Sequence, residues 1–253
     1  MPVEKNDDGI VLKHPKASIP DVLIASGLMN WKGPSVEILL YGAHILSWKS
    51  GTKGDAKQTE RIFLSSKALL DGSGPVRGGI PLVFPAFGAP PHAHPEHVKL
   101  GQHGFARTLA PTPKIQEVYS RPFQLAFVVT LGEHQLSTDL HVHNPAPEPL
   151  EFQALLHNYI RCPSNDVTIA PLQGKQYFDK TDMGHQGLKT EMRAAVDVRK
   201  WTDSVYEDTS GSYEITWPGG GVSIKTVNLK DLVIWNPRSE AGSKIVDMED
   251  GGW

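Results

Sequence analysis

Residues 123–131 and 135–144 are two β-rich runs joined through Gly132-Glu133-His134. In the second run Leu136, Thr138, Leu140 and Val142 alternate with Ser137, Asp139, His141 and His143. A period of two puts one apolar and one polar face on a pleated strand, so the pair reads as a hairpin with one side against a core. The same punctuation recurs along the chain. Residues 36–40 and 43–48 flank Tyr41-Gly42, and 212–217 and 222–227 flank Pro218-Gly219-Gly220-Gly221. Shorter extended runs lie at 10–12, 62–64, 167–170 and 232–235. Residues 150–162 read as a long strand with Gln153, Leu155, His157, Tyr159 and Arg161 on one face and Phe152, Ala154, Leu156 and Ile160 on the other. Residues 67–70 suggest one helical turn, 16–35 carry no clean period, and 163–201 are turn-rich. No helical pattern exceeds about two turns of 3.6 residues, and many short strands between Gly/Pro turns predict an all-β sandwich.

Composition narrows the partners. With 39% hydrophobic and 21% charged residues, the 253-residue chain has the makings of a sizeable core and is not a disordered segment. A formal charge of −3 offers no general attraction to nucleic acid or to an anionic membrane, so neither is expected as a partner and anion binding must be local. There is no run of eighteen apolar residues and no secretory pattern at Met1. Cys162 is the only cysteine, which excludes a disulfide framework and fits a cytoplasmic protein. It reads as a small buried hydrophobe rather than a nucleophile.

Chemistry concentrates in two clusters. Residues 75–88, PVRGGIPLVFPAFG, put Arg77 beside Gly78 and Gly79, followed by Pro81 and Pro85. The glycines permit close backbone approach, the prolines hold Leu82, Val83 and Phe84 extended, and a guanidinium is a fork of donors for carboxylate or phosphate. Residues 101–107, GQHGFAR, add Arg107 with Gln102 and His103, donors of the kind that read sugar hydroxyls. Together they fit a small phosphate site; each arginine alone would read as a surface ion pair. A competing reading is a metal site built on His92, His94, His97 and His103, weakened by the interleaved prolines.

VRGGIPLVFPAFG, GQHGFAR, LLHNYIRC and WTDSVYED together resemble the hexose-6-phosphate mutarotases (glucose-6-phosphate 1-epimerases) of the aldose 1-epimerase family, from about Val36 onward. The resemblance implies a galactose-mutarotase-like supersandwich of antiparallel sheets forming one domain over residues 1–253. It implies a monomer exchanging the α and β anomers of a hexose 6-phosphate without a cofactor. Arg77 and Arg107 would hold or flank the phosphate, Gln102 and Asp203 would contact the sugar with His103 close by, and His157 would be the catalytic histidine. The alternative for Asp203 is a turn-capping aspartate. In the family the base is a glutamate on a strand after the region resembling IVDMEDGGW, and Glu249 is not its equivalent. Residues 16–35 look like added sequence, 107–123 looks short of a strand, and the last strands are expected to be missing. A truncated sandwich of this kind could be a catalytically silent sugar-phosphate-binding protein instead of an enzyme.

Overall fold

Glycine and proline interrupt the chain too often for long helices, and extended runs between them must pair with one another to satisfy their backbone groups. The computed structural model describes residues 3–6, 9–13, 22–24, 34–51, 58–89, 95–108, 112–184 and 187–251. They fall into two compact units, Met1–Arg161 and Cys162–Trp253. Every strand pairing is antiparallel. Among the described residues the α-helices are Thr112–Val118 and Arg238–Gly242, and no helix is long and apolar enough to cross a membrane.

In the first unit one sheet runs in the order Val3–Asn6, Gly9–Lys13, Gln124–Leu131, Leu136–His143, and a second runs Val22–Ile24, Ser35–Leu39, His44–Ser50, Thr59–Glu60. The predicted hairpin forms with Leu131 opposite Leu136. Its apolar face meets the core as the alternation requires: Leu136 and Leu140 pack on a cluster of Val36, Ile38, Ile45, Trp48, Ile62, Ile80, Phe127 and Val129. A second cluster gathers Phe84, Phe105, Tyr119 and Phe123, with Phe84 edge-on to Phe105 at 6.0 Å between centroids. Such aromatic contacts add to the area they bury.

The second unit has two sheets of four strands. One is Val196–Asp197, Thr168–Ala170, Ser212–Trp217, Gly220–Lys225; the other is Lys189–Thr190, Gln176–Asp179, Thr202–Tyr206, Leu232–Asn236. The 212–225 hairpin is tighter than predicted, since Trp217 pairs directly with Gly220 across Pro218-Gly219. Cys162 packs against the core of this unit, as a small hydrophobe does, and burial pushes its thiol pKa up.

Several local expectations are corrected. Residues 150–162 give only the short strand Leu155–Leu156, paired with Leu82–Val83. The N–H groups of Gln153, His157 and Tyr159 do reach the carbonyls of Pro85, Pro81 and Gly79. Pro81 and Pro85 have no N–H to return, so a reciprocal ladder cannot continue. Residues 62–64 contribute isolated bridges, Ile62 with Ile160 and Leu64 with Gly78. Residues 67–70 make no helical turn; Ala68 N–H bonds the Ser65 carbonyl and Lys67 N–H the Ser65 hydroxyl. Between Arg107 and Phe123, where a strand was expected to be lacking, the described residues form the helix Thr112–Val118 and no strand, so that expectation is not among those corrected.

Gly104 shows how tightly these segments approach. Its φ is +68°, and a Cβ there would lie 2.2 Å from the Phe84 carbonyl oxygen. Gly104→Ala therefore combines left-handed strain with a backbone collision, and about 2 to 4 kcal/mol of stability is expected to be lost. Urea denaturation measures this, and an unchanged midpoint would contradict the contact.

Candidate functional site

Three stretches far apart in sequence are tied together in the first unit by main-chain bonds. The segment after Arg77 is sewn to the strand His44–Ser50, with Ile80 N–H on the Ile45 carbonyl at 2.8 Å, and to residues 63–65. His157 N–H on Pro81 O (3.1 Å) and Tyr159 N–H on Gly79 O (3.0 Å) run the histidine strand alongside the Arg-Gly-Gly turn. The second cluster joins the end of the first: Phe84 bridges Gly104, and His103 N–H meets Gly88 O at 2.8 Å. Gly88 N–H donates in return to His103 Nδ1 at 3.0 Å, which puts the proton of a neutral His103 ring on Nε2.

The side chains that result are mostly cationic or phenolic. Arg77 donates to the Tyr159 hydroxyl at 3.3 Å, and the Tyr159 ring lies 4.5 Å from that of His157. Arg107 donates to the Gln102 carbonyl at 2.8 Å, while its buried Nε makes no hydrogen bond. Burial lowers the Arg107 pKa; Tyr159 and Tyr41 oppose that shift and the Arg77 charge reinforces it. No carboxylate is among those influences. Two guanidinium groups close enough to repel, one of them with an unmatched buried donor, form a local positive site of the kind an anion completes.

His157 senses the same field. It is partly exposed but surrounded by protein, and burial, followed by His103, Arg77, Arg107 and His44, pushes its pKa down to about 3. The ring is neutral at neutral pH because every one of these influences disfavours imidazolium. His44, behind the Arg-Gly-Gly turn, is fully buried with Nε2 on the Gly78 carbonyl at 2.9 Å, and its pKa falls to about 4.

Of the residues singled out in the sequence, Arg77, His103, Arg107 and His157 are coupled in this way. Gln102 joins them by its backbone carbonyl, its side chain being on an exposed residue. Asp203 lies in the second unit on the strand Thr202–Tyr206, opposite Trp235, and is not a turn cap. Burial raises its pKa, opposed by Lys180 and reinforced by Asp179. For the metal alternative, His92 and His94 lie outside the described residues. His97 is buried with its ring stacked 5.8 Å from Tyr119, and no group of three metal-ligating side chains occurs among the described residues. Sequence reasoning missed Tyr41, His44 and Tyr159 as parts of the site. For Tyr159 the signal was present: two residues beyond His157 on an extended segment, it must share its face.

Residues 28–251 match the aldose 1-epimerase family. The chain belongs to that family. It is accordingly an epimerase acting on a sugar, and its mostly antiparallel β architecture is that of the galactose mutarotases. A protein of Cenchrus ciliaris named "Putative glucose-6-phosphate 1-epimerase" is 25% identical over 85% of this chain and 70% of its own length. One of the same name from Escherichia coli K12 is 26% identical over 85% of this chain and 74% of its own. The crystal structure of a "putative mutarotase" from Salmonella typhimurium superposes with a TM-score of 0.75 at 20% identity, covering 99% of this chain and 85% of that one. A galactose mutarotase related enzyme from Lactobacillus acidophilus gives 0.68 at 17% identity, covering 87% and 82%.

The two depressed histidines make the stability of this epimerase pH-dependent. Above pH 6.5 both His44 and His157 are neutral whether folded or unfolded, so their contribution is complete. As pH falls below 6.5 the unfolded chain takes up protons that the folded one refuses until about pH 4 for His44 and about pH 3 for His157, and stability is lost. Folded His44 at about 4 against 6.5 unfolded corresponds to about 3 kcal/mol across that window. Urea denaturation of the protein and of His44→Gln at pH 7.5 and 4.5 isolates this share from that of the carboxylates. The variant is expected to lose less stability on acidification, and parallel losses would exclude a neutral buried His44.

Proposed function

We propose that this epimerase interconverts the α and β anomers of a hexose 6-phosphate, glucose 6-phosphate foremost. The observation carrying this reading is the Arg77–Arg107 pair, like charges held in one field with no carboxylate among the influences on Arg107. A phosphate dianion takes charge-assisted bonds from both guanidinium groups and relieves their repulsion. The names of the Cenchrus ciliaris and Escherichia coli relatives support the same substrate.

In this reading the phosphate also prepares the chemistry. Ring opening moves a proton from His157 onto the ring oxygen while solvent water, in place of a carboxylate base, takes the proton of the anomeric hydroxyl; the bond from C1 to the ring oxygen breaks as the aldehyde C=O forms. Rotation about the adjacent C–C bond and reclosure give the other anomer. His157 is the acid. Its proton affinity is suppressed in part by Arg77 and Arg107, so an anion that offsets those charges raises it toward the range where a histidine transfers protons at neutral pH. His103 presents its Nε2–H to the sugar, with Gln102 beside it.

NMR exchange spectroscopy on the two anomers measures the activity directly. His157→Ala is expected to lower kcat by about 10²- to 10⁴-fold. Arg77→Ala is expected to raise KM for glucose 6-phosphate by about 10- to 100-fold, the loss of a charge-assisted hydrogen bond, with glucose little affected; equal effects on both sugars would refute the phosphate assignment. Calorimetric binding of glucose 6-phosphate with no anomer exchange would instead identify a silent sugar-phosphate-binding protein. The His157 ring resonances, followed against pH, should titrate well below 6.5 without ligand and move upward when inorganic phosphate is added.

A further inference from the structure

Three successive backbone groups at the Arg77 turn are held from outside it. The Arg77 carbonyl accepts from Ser65 N–H at 3.1 Å, and Gly79 N–H donates to the Phe63 carbonyl at 2.7 Å. Between them the Gly78 carbonyl accepts from His44 Nε2 at 2.9 Å. Only that middle clamp is made by a side chain. A carbonyl cannot donate, so Nε2 carries the hydrogen and the neutral ring leaves Nδ1 as a bare acceptor. That Nδ1 is buried without a hydrogen-bond partner.

An unsatisfied nitrogen in a fully buried strand position is a cost that leucine would not carry. Histidine at this place therefore answers to something other than packing. Its ring also forms the surface on which the turn rests: a Cβ at Gly79, whose φ is +70°, would fall 2.2 Å from His44 Nε2. The imidazole thus fixes the Gly78–Gly79 peptide, one residue beyond Arg77, and with the Ser65 clamp on the Arg77 carbonyl it bears on the direction in which the guanidinium leaves the backbone.

We infer that His44 is a positioning residue for Arg77, setting the aim of the guanidinium rather than touching substrate. The consequence for activity rests on Arg77 being the phosphate ligand; the positioning itself does not. Removing the Nε2–H donor should loosen the hold on the phosphorylated end of the substrate more than on the sugar end.

The full chain is compared with His44→Leu, which fills the space without a donor, and His44→Gln, whose amide nitrogen can replace Nε2. Arg77→Ala serves as the reference. His44→Leu is expected to raise KM for glucose 6-phosphate by about tenfold, a larger change than in the KM for glucose. His44→Gln should return KM to near the wild-type value, a rescue that a role in packing alone would not produce. In NMR spectra the Arg77 Nε–H resonance should shift in the leucine variant while that of Arg107 stays in place. If His44→Leu folds and binds glucose 6-phosphate like the wild type while Arg77→Ala does not, the inference fails and the phosphate reading stands. If Arg77→Ala changes the KM values for glucose and glucose 6-phosphate equally, the phosphate reading fails and the Arg77 resonance alone decides whether His44 positions it. Should the leucine variant not fold, His44→Asn replaces it: its shorter amide reaches only the Nδ1 position, so KM should rise with Asn and recover with Gln, and equal KM values would overturn the inference.

Discussion

The anchoring of the backbone beneath Arg77 and Arg107 is the constraint on which the candidate site depends, since burial and the Arg77 charge both lower the Arg107 pKa. Two like charges that are partly withdrawn from water do not stay together unless the backbone beneath them is held firmly. Here it is. Residues 77–80 are bonded on both sides, to Ser65, His44, Phe63 and Ile45, and residues 84–88 are bonded to residues 103–106. The aromatic and aliphatic clusters hold that backbone in place, and with it the burial and the Arg77 charge that together lower the Arg107 pKa.

The prolines serve the same end. Pro81 and Pro85 accept hydrogen bonds from His157 and Gln153 but cannot donate. The segment can therefore lie beside the histidine strand without zipping into a long ladder, and Arg77 and Tyr159 approach each other where a regular sheet would have run straight on.

The two units treat buried charge in opposite ways. In the second, the Glu191 carboxylate is buried, yet it accepts two bonds from the Arg193 guanidinium, at 2.9 and 2.8 Å, and a third from the Tyr206 hydroxyl at 2.7 Å. Its pKa is accordingly held down to about 2. Every part of that network has a partner, which is how a stabilising polar core looks. In the first unit Arg107 Nε and His44 Nδ1 are buried without hydrogen bonds, and the charges around His157 share one sign. Trp48 Nε1 and the Tyr119 hydroxyl are in the same state, so what sets Arg107 apart is the Arg77 charge that bears on it.

The order of residues was enough to determine the all-β class, the hairpins at 124–143 and 212–225 and the apolar face carrying Leu136 and Leu140, and it singled out Arg77, Arg107 and His157 as candidates. These are local matters: strand periodicity, turn chemistry and the donor set of a side chain are written over a few neighbouring positions. What only the tertiary structure decided was reach. The strand over residues 150–162 shrinks to Leu155–Leu156 because its neighbour carries Pro81 and Pro85, a fact about the neighbour that its own alternation cannot contain. A turn cap was open as the alternative for Asp203 because Thr202–Tyr206 becomes a strand only by pairing with Gln176–Asp179 and Leu232–Asn236. His44 lies in the β-rich run 43–48, and only the fold puts Gly78, 34 positions along the chain, against its ring. Which charges repel, which histidine is neutral and which carbonyl needs a donor are properties of distances between remote segments, and those distances exist only once the chain has folded.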